Sequence, residues 1–379
     1  MRIALDLRWI RGEQIDGISR YALNLVTHLV AEEPEHEYLL IGQEHTLIHH
    51  LSPPTLAGSR IVAHPYGLLS LKDMALSPRA ISDLAPHIFH APHYLTSPFR
   101  GHYKKIVNVF DLIPFLFPKA LSKSRLIWRV FYRFPLLTST ILRSADAIVT
   151  ASEHTKRDIM RLLRMPAEKI HVIWCGLESR FRQGISIEPD FFLRYHLPQK
   201  FLLYVGRQDP YKGLAYLIEA AALLPERLRR EYRIVIAGKT DERYIGDIHA
   251  LIARYQVQDS FIFLNYVPDN DLPQFYSAAT LLVHPSLYEG FGFPPLEAMA
   301  CGTPVVYADD SSLSEHLGTA GFPVTPASGQ ALTDGIQVLL DNAQLRQEFS
   351  ENGYAQAQHY SWKRIISQTL QLYEHTAAQ

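Results

Sequence analysis

The sequence has little that would suit a secreted, membrane-spanning or nucleic-acid-binding protein. It contains only two cysteines in 379 residues, Cys175 and Cys301, so a disulfide-rich extracellular scaffold is excluded and a reducing cytoplasm is the simpler prediction. The apolar run at the N-terminus is too short for a signal peptide, and nowhere do the roughly 18 consecutive apolar residues of a membrane-spanning helix occur. The 37 basic and 38 acidic side chains nearly cancel, which gives no reason to expect a nucleic-acid partner.

Length and composition indicate two folded domains. A chain of 379 residues exceeds what one ordinary hydrophobic core holds together. Hydrophobic residues make up 47% of the chain and charged residues 20%, and no long polar or repetitive tract interrupts them. This composition is typical of a globular protein rather than a disordered one.

Short apolar runs alternate with stretches of helical periodicity along the whole chain. This alternation predicts parallel sheets with helices packed on their faces. The first set of predicted strands comprises residues 2–6, 38–41, 60–63, 87–90, 105–110, 147–150 and 170–174. After a polar passage the pattern begins again, with predicted strands at 201–205, 233–237, 261–264, 281–284 and 304–307.

The predicted fold class is therefore α/β, with two Rossmann-like, doubly wound parallel-sheet domains that face a central cleft. We place the N-terminal domain at residues 1–180 and the C-terminal domain at 195–358. Residues 359–379 are expected to form a helix that packs back on the first domain. Ligands of such sheets bind at the carboxyl ends of the strands, so the loops that follow the strands should carry the function.

The most informative segment, residues 285–304, combines a glycine loop with two carboxylates. Gly290 and Gly292 let the backbone approach a ligand closely, because glycine has no side chain to block it. Prolines then begin a short helix, whose free amides favour an anion such as a diphosphate. Glu289, and Glu297 in the expected first turn of that helix, would repel a bare anion. A nucleotide sugar explains both features, because amides bind its phosphates and carboxylates accept hydrogen bonds from its hydroxyl groups. The alternative is that the two glutamates only cap a helix.

Residues 289–305 read Glu-Gly-Phe-Gly-Phe-Pro-Pro-Leu-Glu-Ala-Met-Ala-Cys-Gly-Thr-Pro-Val. This run resembles the signature of the family-four retaining glycosyltransferases of the GT-B fold, and the chain resembles bacterial polysaccharide mannosyltransferases in particular. The resemblance is loose in the first domain, which would be the acceptor side, and close at 205–306, where the nucleotide sugar would bind. It implies that Glu289 contacts the donor sugar and Glu297 the ribose. The amides that would contact the hydroxyls and phosphate of the donor belong to Gly290, Phe291, Gly292 and Phe293.

Two cations follow the predicted strand at 201–205. Arg207 can grip phosphate oxygens through its planar guanidinium group, and Lys212 adds a point charge, so both would stabilise a diphosphate as the glycosidic bond breaks. The family has Gly-Arg and Lys-Gly at these places, which assigns Gly206, Arg207 and Lys212 to the donor site by resemblance. Outside that context, such a pair is more often a solvated surface.

The segment at 265–272 resembles the one whose backbone, near Val267, holds the base of the donor. Asp269 and Asp271 also have the spacing of the metal-binding Asp-x-Asp motif of the other large glycosyltransferase fold. An aspartate before an apolar-periodic stretch more usually caps a helix, however. We therefore predict a metal-independent protein with no cofactor, whose donor substrate is a GDP- or UDP-linked sugar.

Gly17, Asp111 and His93 are the candidate ligand contacts of the first domain. Gly17 matches the family's first glycine loop, near donor phosphate or acceptor, although a simple turn explains one glycine equally well. Asp111 lies in a segment that in many relatives reads His-Asp-Leu-x-Pro. Here Phe110 replaces the histidine, which often touches the donor sugar, and Asp111 would bind acceptor or donor hydroxyls or cap the following turn. A second departure is Trp-Cys-Gly at 174–176, where relatives usually have Pro-Asn-Gly, with an effect expected to be structural.

His87, His90 and His93 have the spacing of metal ligands. The first two flank a predicted strand, however, and alternation along a strand would point them to different faces. A zinc site needs ligands that converge, so none is expected here. His93 lies in the loop after the strand and is predicted to contact the acceptor.

Residues 100–143 form a basic segment, with nine Lys or Arg and one acidic residue, and with aromatic side chains interleaved among the arginines at 125–134. Such a segment can bind anionic lipid, which would suit a cytoplasmic enzyme acting on lipid-linked acceptors at the inner face of the cell membrane. The alternative is a core helix with a solvated basic face.

The resemblance implies a retaining hexosyltransferase that moves a sugar from a nucleotide diphosphate to a saccharide or lipid-linked saccharide. We predict mannose from GDP-mannose, because the segment at 111–114 resembles polysaccharide mannosyltransferases. In the mechanism that the family implies, the departing phosphate takes the acceptor proton and no enzymic nucleophile is required. A nucleotide-sugar epimerase and a binding protein without turnover, which Phe110 suggests, are the alternatives. The expected catalytic contacts are Glu289, Arg207, Lys212 and Asp111.

Overall fold

The computed structural model describes residues 1–12, 15–68, 70–118 and 136–379. The chain divides into two compact units, of which unit 1 comprises Met1–Gly176 with Ser361–Gln379 and unit 2 comprises Leu177–Tyr360. Each unit contains one parallel sheet with helices packed against it. The predicted α/β fold class, with two doubly wound parallel sheets, is confirmed.

Unit 1 contains a sheet of seven strands in the order β3-β2-β1-β4-β5-β6-β7, and all its neighbouring pairs are parallel. The strands are β1 Arg2–Asp6, β2 Glu37–Ile41, β3 Ser59–Val62, β4 Ile88–Ala91, β5 Lys104–Asn108, β6 Ala147–Thr150 and β7 Ile170–Val172. Its helices in the described ranges are α1 Gly17–Glu32, α2 Glu44–His50, α3 Pro53–Ala57, α4 Leu71–Ser82, α5 Ile113–Leu116, α6 Leu136–Ser144, α7 Glu153–Leu163 and, at the C-terminus, α17 Trp362–Ala378.

The C-terminal helix α17 is part of unit 1 and packs against α1. The hydroxyl of its buried Tyr373 lies 2.5 Å from Nδ1 of His90 in the core strand β4. Trp362 stacks on the ring of His28, and a Cβ at position 176 would lie 2.6 Å from its indole. The glycine of the unusual Trp-Cys-Gly segment therefore makes room for this helix, and Cys175 beside it is a buried free thiol, as is Cys301 in unit 2.

Unit 2 contains a sheet of six parallel strands in the order β10-β9-β8-β11-β12-β13. The strands are β8 Phe201–Val205, β9 Arg233–Ala237, β10 Phe261–Leu264, β11 Leu281–His284, β12 Val305–Ala308 and β13 Phe322–Val324. The helices are α8 Phe191–Arg194, α9 Leu214–Leu223, α10 Glu226–Glu231, α11 Ile245–Tyr255, α12 Leu272–Ala278, α13 Phe293–Ala300, α14 Ser311–Leu317, α15 Gly329–Asp341 and α16 Ala343–Ala357.

The strand order reverses once in each sheet, between β1 and β4 in unit 1 and between β8 and β11 in unit 2. At such a switch point the loops after the two central strands leave the sheet in opposite directions and open a crevice for a ligand. The two switch points are therefore where the sites of the two units are to be sought.

The basic segment at 100–143 has two interpretations from the sequence, an anionic-lipid contact and a core helix with a solvated basic face. None of the helices in the described ranges is both long enough and apolar enough to cross a bilayer. The interleaved arginines and aromatics at 125–134 lie outside the described residues.

Candidate functional site

The loops after β8 and β11 are joined directly at the switch point of unit 2. The backbone amide of Leu287 donates a hydrogen bond of 2.8 Å to the carbonyl of Tyr211. Gly213 has a φ of +74°, and a Cβ at this position would lie 2.0 Å from the carbonyl oxygen of Pro285. Only glycine satisfies both the backbone conformation and the close approach, so Gly213 sets the spacing between the two loops.

We expect Gly213→Ala to lower the free energy of unfolding by more than about 2 kcal/mol, because it adds backbone strain and a clash with main-chain atoms. Gly246→Ala is the matched control, since Gly246 lies in α11 and its added Cβ would meet no described atom within 4 Å. Chemical denaturation of the three proteins measures the effect. Equal stabilities for the two variants would contradict the assigned packing.

A buried ion pair connects these two loops. Lys212, from the loop after β8, donates hydrogen bonds of 2.7 and 2.8 Å to the two carboxylate oxygens of Glu289. His284, the last residue of β11, places its Nε2 2.9 Å from Oε1 of the same carboxylate. Glu289 is held at the main chain as well, where its amide donates to Oγ of Ser311 at 2.9 Å and its carbonyl accepts from Ser312 at 2.8 Å.

These neighbours determine the charge of Glu289. Burial alone would raise the pKa of its carboxyl group, but the positive charge of Lys212 and the hydrogen bond from His284 outweigh burial and lower the pKa to about 2. The group is therefore ionised at neutral pH. It can accept hydrogen bonds from hydroxyl groups, but its pKa is too low for an effective general base.

Arg207 lies in the same loop as Lys212 with its side chain 65% exposed. Its Nε is 2.7 Å from Oδ2 of the buried Asp209, which orients the guanidinium group. Arg243, from the loop after β9, approaches Oδ1 of Asp209 at 3.6 Å and adds a second guanidinium. Neither Asp209 nor Arg243 was predicted from the sequence as a site residue, because no motif assigns a contact to either side chain.

Gly292 and the helix α13 come next along the chain. Gly292 has a φ of +94°, which strains any other residue, and a Cβ there would lie 2.6 Å from a methyl group of Leu313, so this position favours glycine. The side chain of Phe291 is buried in the core, 4.6 Å between ring centroids from His316, which leaves the backbone of this loop as its contribution to the site.

Glu297 lies in the second turn of α13, not in the first turn as predicted, because the helix begins at Phe293. Its side chain is only 2% exposed and accepts a hydrogen bond of 2.8 Å from the hydroxyl of Tyr276. A buried carboxylate four residues into a helix does not cap that helix, so the capping interpretation does not apply to Glu297.

The segment after β10 carries the buried Val267. Asp271 stands at the N-cap position of α12, but its carboxylate accepts from the hydroxyl of Tyr195 and makes no cap bond, so the prediction of side-chain capping is wrong there. The carbonyl of Asp269 accepts from Arg180 at 2.8 Å. Within the described ranges, no three His, Cys, Asp or Glu side chains converge as a metal site requires.

Unit 1 has a pocket at its own switch point, lined by Asp6, Trp9, Leu68, Ala91, His93 and Leu95. The rings of Trp9 and His93 are stacked with centroids 4.4 Å apart and planes within 5° of parallel. Burial lowers the pKa of His93 to about 4, against the opposing charges of Asp16 and Asp6, so the ring is neutral at neutral pH. Each of the two rings covers one face of the other, so the face of Trp9 turned away from His93 is the aromatic surface that this pair leaves for the apolar face of a sugar.

The carboxylate of Asp6 is fixed by buried charges. Arg8 donates to its two oxygens at 2.8 and 2.7 Å and also pairs with Asp73 at 2.5 Å. Sequence reasoning found His93 but missed Asp6 and Trp9. Their position at the end of the first strand was the available signal, because that loop must open at a switch point.

The other sequence-predicted contacts of unit 1 have mainly local partners. Gly17 is the first residue of α1, which Asp16 caps, and the indole of Trp9 donates to Asp16 at 3.0 Å, so the start of this helix lies next to Trp9. The carboxylate of Asp111 accepts from the amide of Ile113 at 3.0 Å and thereby caps the following turn.

Phe110, His87 and His90 each contact another residue of unit 1. Phe110 packs edge-on against Tyr21 at 4.8 Å. His87 accepts from the amide of Arg2 at 2.9 Å. His90 is fully buried, with Nε2 2.7 Å from the side-chain oxygen of Asn108.

Comparison with known proteins assigns both units. Residues 15–180 match the family described as Glycosyltransferase Family 4, and residues 191–356 match Glycosyl transferases group 1. The chain is similar to O-antigen chain mannosyltransferase B of Escherichia coli, with 32% identity over 376 residues that cover 95% of this chain and 96% of that protein. Among solved structures, sucrose-phosphate synthase from Thermosynechococcus elongatus has a TM-score of 0.77 at 22% identity, over 100% of this chain and 99% of that one. Anabaena HepE, in complex with UDP and glucose, has a TM-score of 0.76 at 19% identity, over 99% and 100% of the two chains.

Proposed function

Because the chain belongs to the family-four glycosyltransferases, we propose that it is a retaining mannosyltransferase that moves mannose from GDP-mannose to a saccharide or lipid-linked saccharide acceptor. The observation that carries the proposal is the buried Lys212–Glu289 pair at the switch point of unit 2. It places one cation and one ionised carboxylate side by side, as a ligand with both phosphate and hydroxyl groups requires.

The donor site follows from the groups around this pair. Arg207 and Lys212 bind the diphosphate as cations, and the backbone of residues 290–293 supplies amides at the start of α13. Glu289 accepts from a hydroxyl group of the sugar, Glu297 accepts from the ribose, and the base lies against the backbone at Val267 after β10. Asp111, whose carboxylate accepts from the amide of Ile113, remains a proposed contact of the sugar.

The charge state of Glu289 supports a mechanism without an enzymic nucleophile. A carboxylate with a pKa of about 2, held by Lys212 and His284, is a weak base and a poor nucleophile. The acceptor oxygen forms its bond to the anomeric carbon on the face that the diphosphate leaves, and the departing phosphate oxygen takes the acceptor proton. Arg207 and Lys212 stabilise the charge that grows on the diphosphate, and no metal is needed for this role.

Mannose is supported by the similarity to an O-antigen mannosyltransferase and by the segment at 111–114. Calorimetric titration with a panel of nucleotide sugars and free nucleotides, with and without chelator, tests the proposal. We expect tight, chelator-insensitive binding of GDP-mannose. Binding of a UDP-sugar instead would correct the donor, and binding of no nucleotide sugar would exclude the proposed site. Products formed without any acceptor would indicate an epimerase, and donor binding without turnover in the presence of acceptors would indicate a binding protein.

The acceptor is proposed to bind in the pocket of unit 1, against Trp9 and His93 and beside Asp6. We expect Trp9→Ala to raise the acceptor KM about tenfold, because the stacking surface is lost, while the donor Kd stays unchanged. Trp9→Phe retains an aromatic face but not the bond to Asp16, and should recover most of the affinity. An unchanged acceptor KM in Trp9→Ala would place acceptor binding elsewhere.

A lipid-linked acceptor requires that the enzyme reach a membrane surface, and the support for such contact is the basic segment at 100–143. Sedimentation with anionic and with neutral vesicles tests the point. We expect binding to anionic vesicles that increasing salt weakens, and equal recovery with both vesicle types would exclude association through this segment.

A further inference from the structure

His284 belongs to the donor site, although neither the motif nor its family resemblance assigns it a role. It is the last residue of β11, is 2% exposed, and lies in register with Tyr307 of β12. Its Nε2 is 2.9 Å from Oε1 of Glu289. The carboxylate of Glu289 is therefore held from two directions, by Lys212 after one central strand and by His284 at the end of the other.

The surroundings of the ring define its tautomer. Glu289 is an ionised acceptor, so Nε2 of His284 must donate the hydrogen bond between them. Nδ1 is buried and has no hydrogen-bond partner in the part of the chain that the structure describes. A proton on Nε2 is bonded to Glu289, whereas a proton on Nδ1 would be a buried N–H without an acceptor in the described residues, so the geometry places the ring proton on Nε2.

Lys212 and His284 act on Glu289 in different ways. An ammonium group on a flexible stem supplies charge, but its three rotatable donors fix the carboxylate plane only weakly. An imidazole ring on the end of a buried strand has few accessible rotamers, so its one N–H defines a direction. Oε1 of Glu289 therefore has a second hydrogen-bond donor, one of defined direction, in addition to Lys212.

We propose that His284 is a positioning residue for the transfer reaction, which orients the carboxylate of Glu289 through its Nε2–H. The inference rests on the proposed function, in which Glu289 accepts a hydrogen bond from the donor sugar. Loss of this orientation raises the free energy of the transition state more than that of the donor complex. Most of the donor affinity comes from the nucleotide and its diphosphate, which His284 does not position.

The test compares His284→Gln with His284→Asn. The amide nitrogen of glutamine reaches the position of the imidazole Nε2, whereas that of asparagine reaches only the position of Nδ1. We expect His284→Gln to retain kcat within about threefold, and His284→Asn to lower kcat by at least about tenfold with a smaller change in donor Kd. Denaturation curves of both variants show whether they are folded.

A purely structural role for His284 would lower kcat equally in the two variants, and either that result or an unchanged kcat in His284→Asn would overturn the proposal. A measurement without turnover is the ¹⁵N spectrum of histidine-labelled wild-type protein, where we expect His284 to carry a proton on Nε2. A His284 ring with no proton on Nε2 would also overturn the proposal. Failure of the proposed function is distinguishable, because wild-type protein would then transfer no sugar from any nucleotide donor while the spectrum kept its expected form.

Discussion

Replacing Lys212 with methionine should lower kcat/KM by at least about 10³-fold, because the change removes the cation proposed to bind the diphosphate and leaves Glu289 as a buried charge without its counter-ion. Lys212 is the cation that contacts both oxygens of Glu289, at 2.7 and 2.8 Å. Methionine has a similar length and keeps the apolar stem packed. Steady-state kinetics with GDP-mannose and an acceptor measures the loss.

Lys200→Met is the control for this prediction, since Lys200 is an exposed lysine of the same unit that precedes β8 and pairs with the exposed Glu231 at 2.6 Å. It should retain wild-type kinetics within about twofold, as surface charges usually contribute little. A Lys212→Met enzyme with near wild-type kcat/KM would show that the pair has no part in the reaction.

The same variant has a stability that depends on pH in a defined direction. In the wild-type protein the pKa of Glu289 is lowered from 4.5 to about 2, so its contribution to stability is present above the unfolded pKa and is lost as pH falls through the folded pKa. Without Lys212, burial becomes the main influence and the pKa rises. The difference in unfolding free energy between wild type and Lys212→Met should therefore be larger at pH 7 than at pH 4. A gap that is constant over this range would mean that Lys212 does not control the ionisation of Glu289.

Local periodicity predicts the core strands well, because their apolar runs are bounded by polar loops. The predicted strands at 201–205, 233–237, 261–264 and 281–284 have the bounds that the structure gives to β8–β11. The edge strand β13, Phe322–Val324, was not predicted. It has only three residues and includes a proline, so it carries neither the length nor the alternation that marks a strand.

The local structure of the candidate site was predictable where its residues are contiguous in the sequence, and not where contacts join distant segments. Residues 289–297 could be located from their glycines, prolines and glutamates. The bonds from His284 and Tyr276 to these glutamates depend on how strands and helices pack, and periodicity says nothing about that packing. The pairing of Arg8 with Asp73 could not be predicted for the same reason, because the two residues lie 65 positions apart.

Glu297 is expected to determine donor affinity. Its carboxylate is 2% exposed and bonded to Tyr276 at 2.8 Å, so the protein holds it in place before a ribose arrives. We expect Glu297→Gln to weaken the donor Kd by about 10- to 100-fold, because a charge-assisted acceptor becomes a neutral amide. Calorimetric titration with GDP-mannose and with free GDP measures the effect, and both ligands should weaken equally, since both contain the ribose.

Tyr276→Phe separates ligand binding from support of the fold. It removes the internal hydrogen bond to Glu297 and leaves the carboxylate in place, so stability should fall by about 1 kcal/mol while the donor Kd changes less than in Glu297→Gln. If Glu297 served only the packing of α13, the two variants would lose stability together and donor affinity would not distinguish them. A Glu297→Gln protein that binds GDP-mannose and GDP as tightly as wild type would therefore remove the ribose contact from the proposed site and leave Glu289 as the carboxylate that the motif at 289–305 contributes.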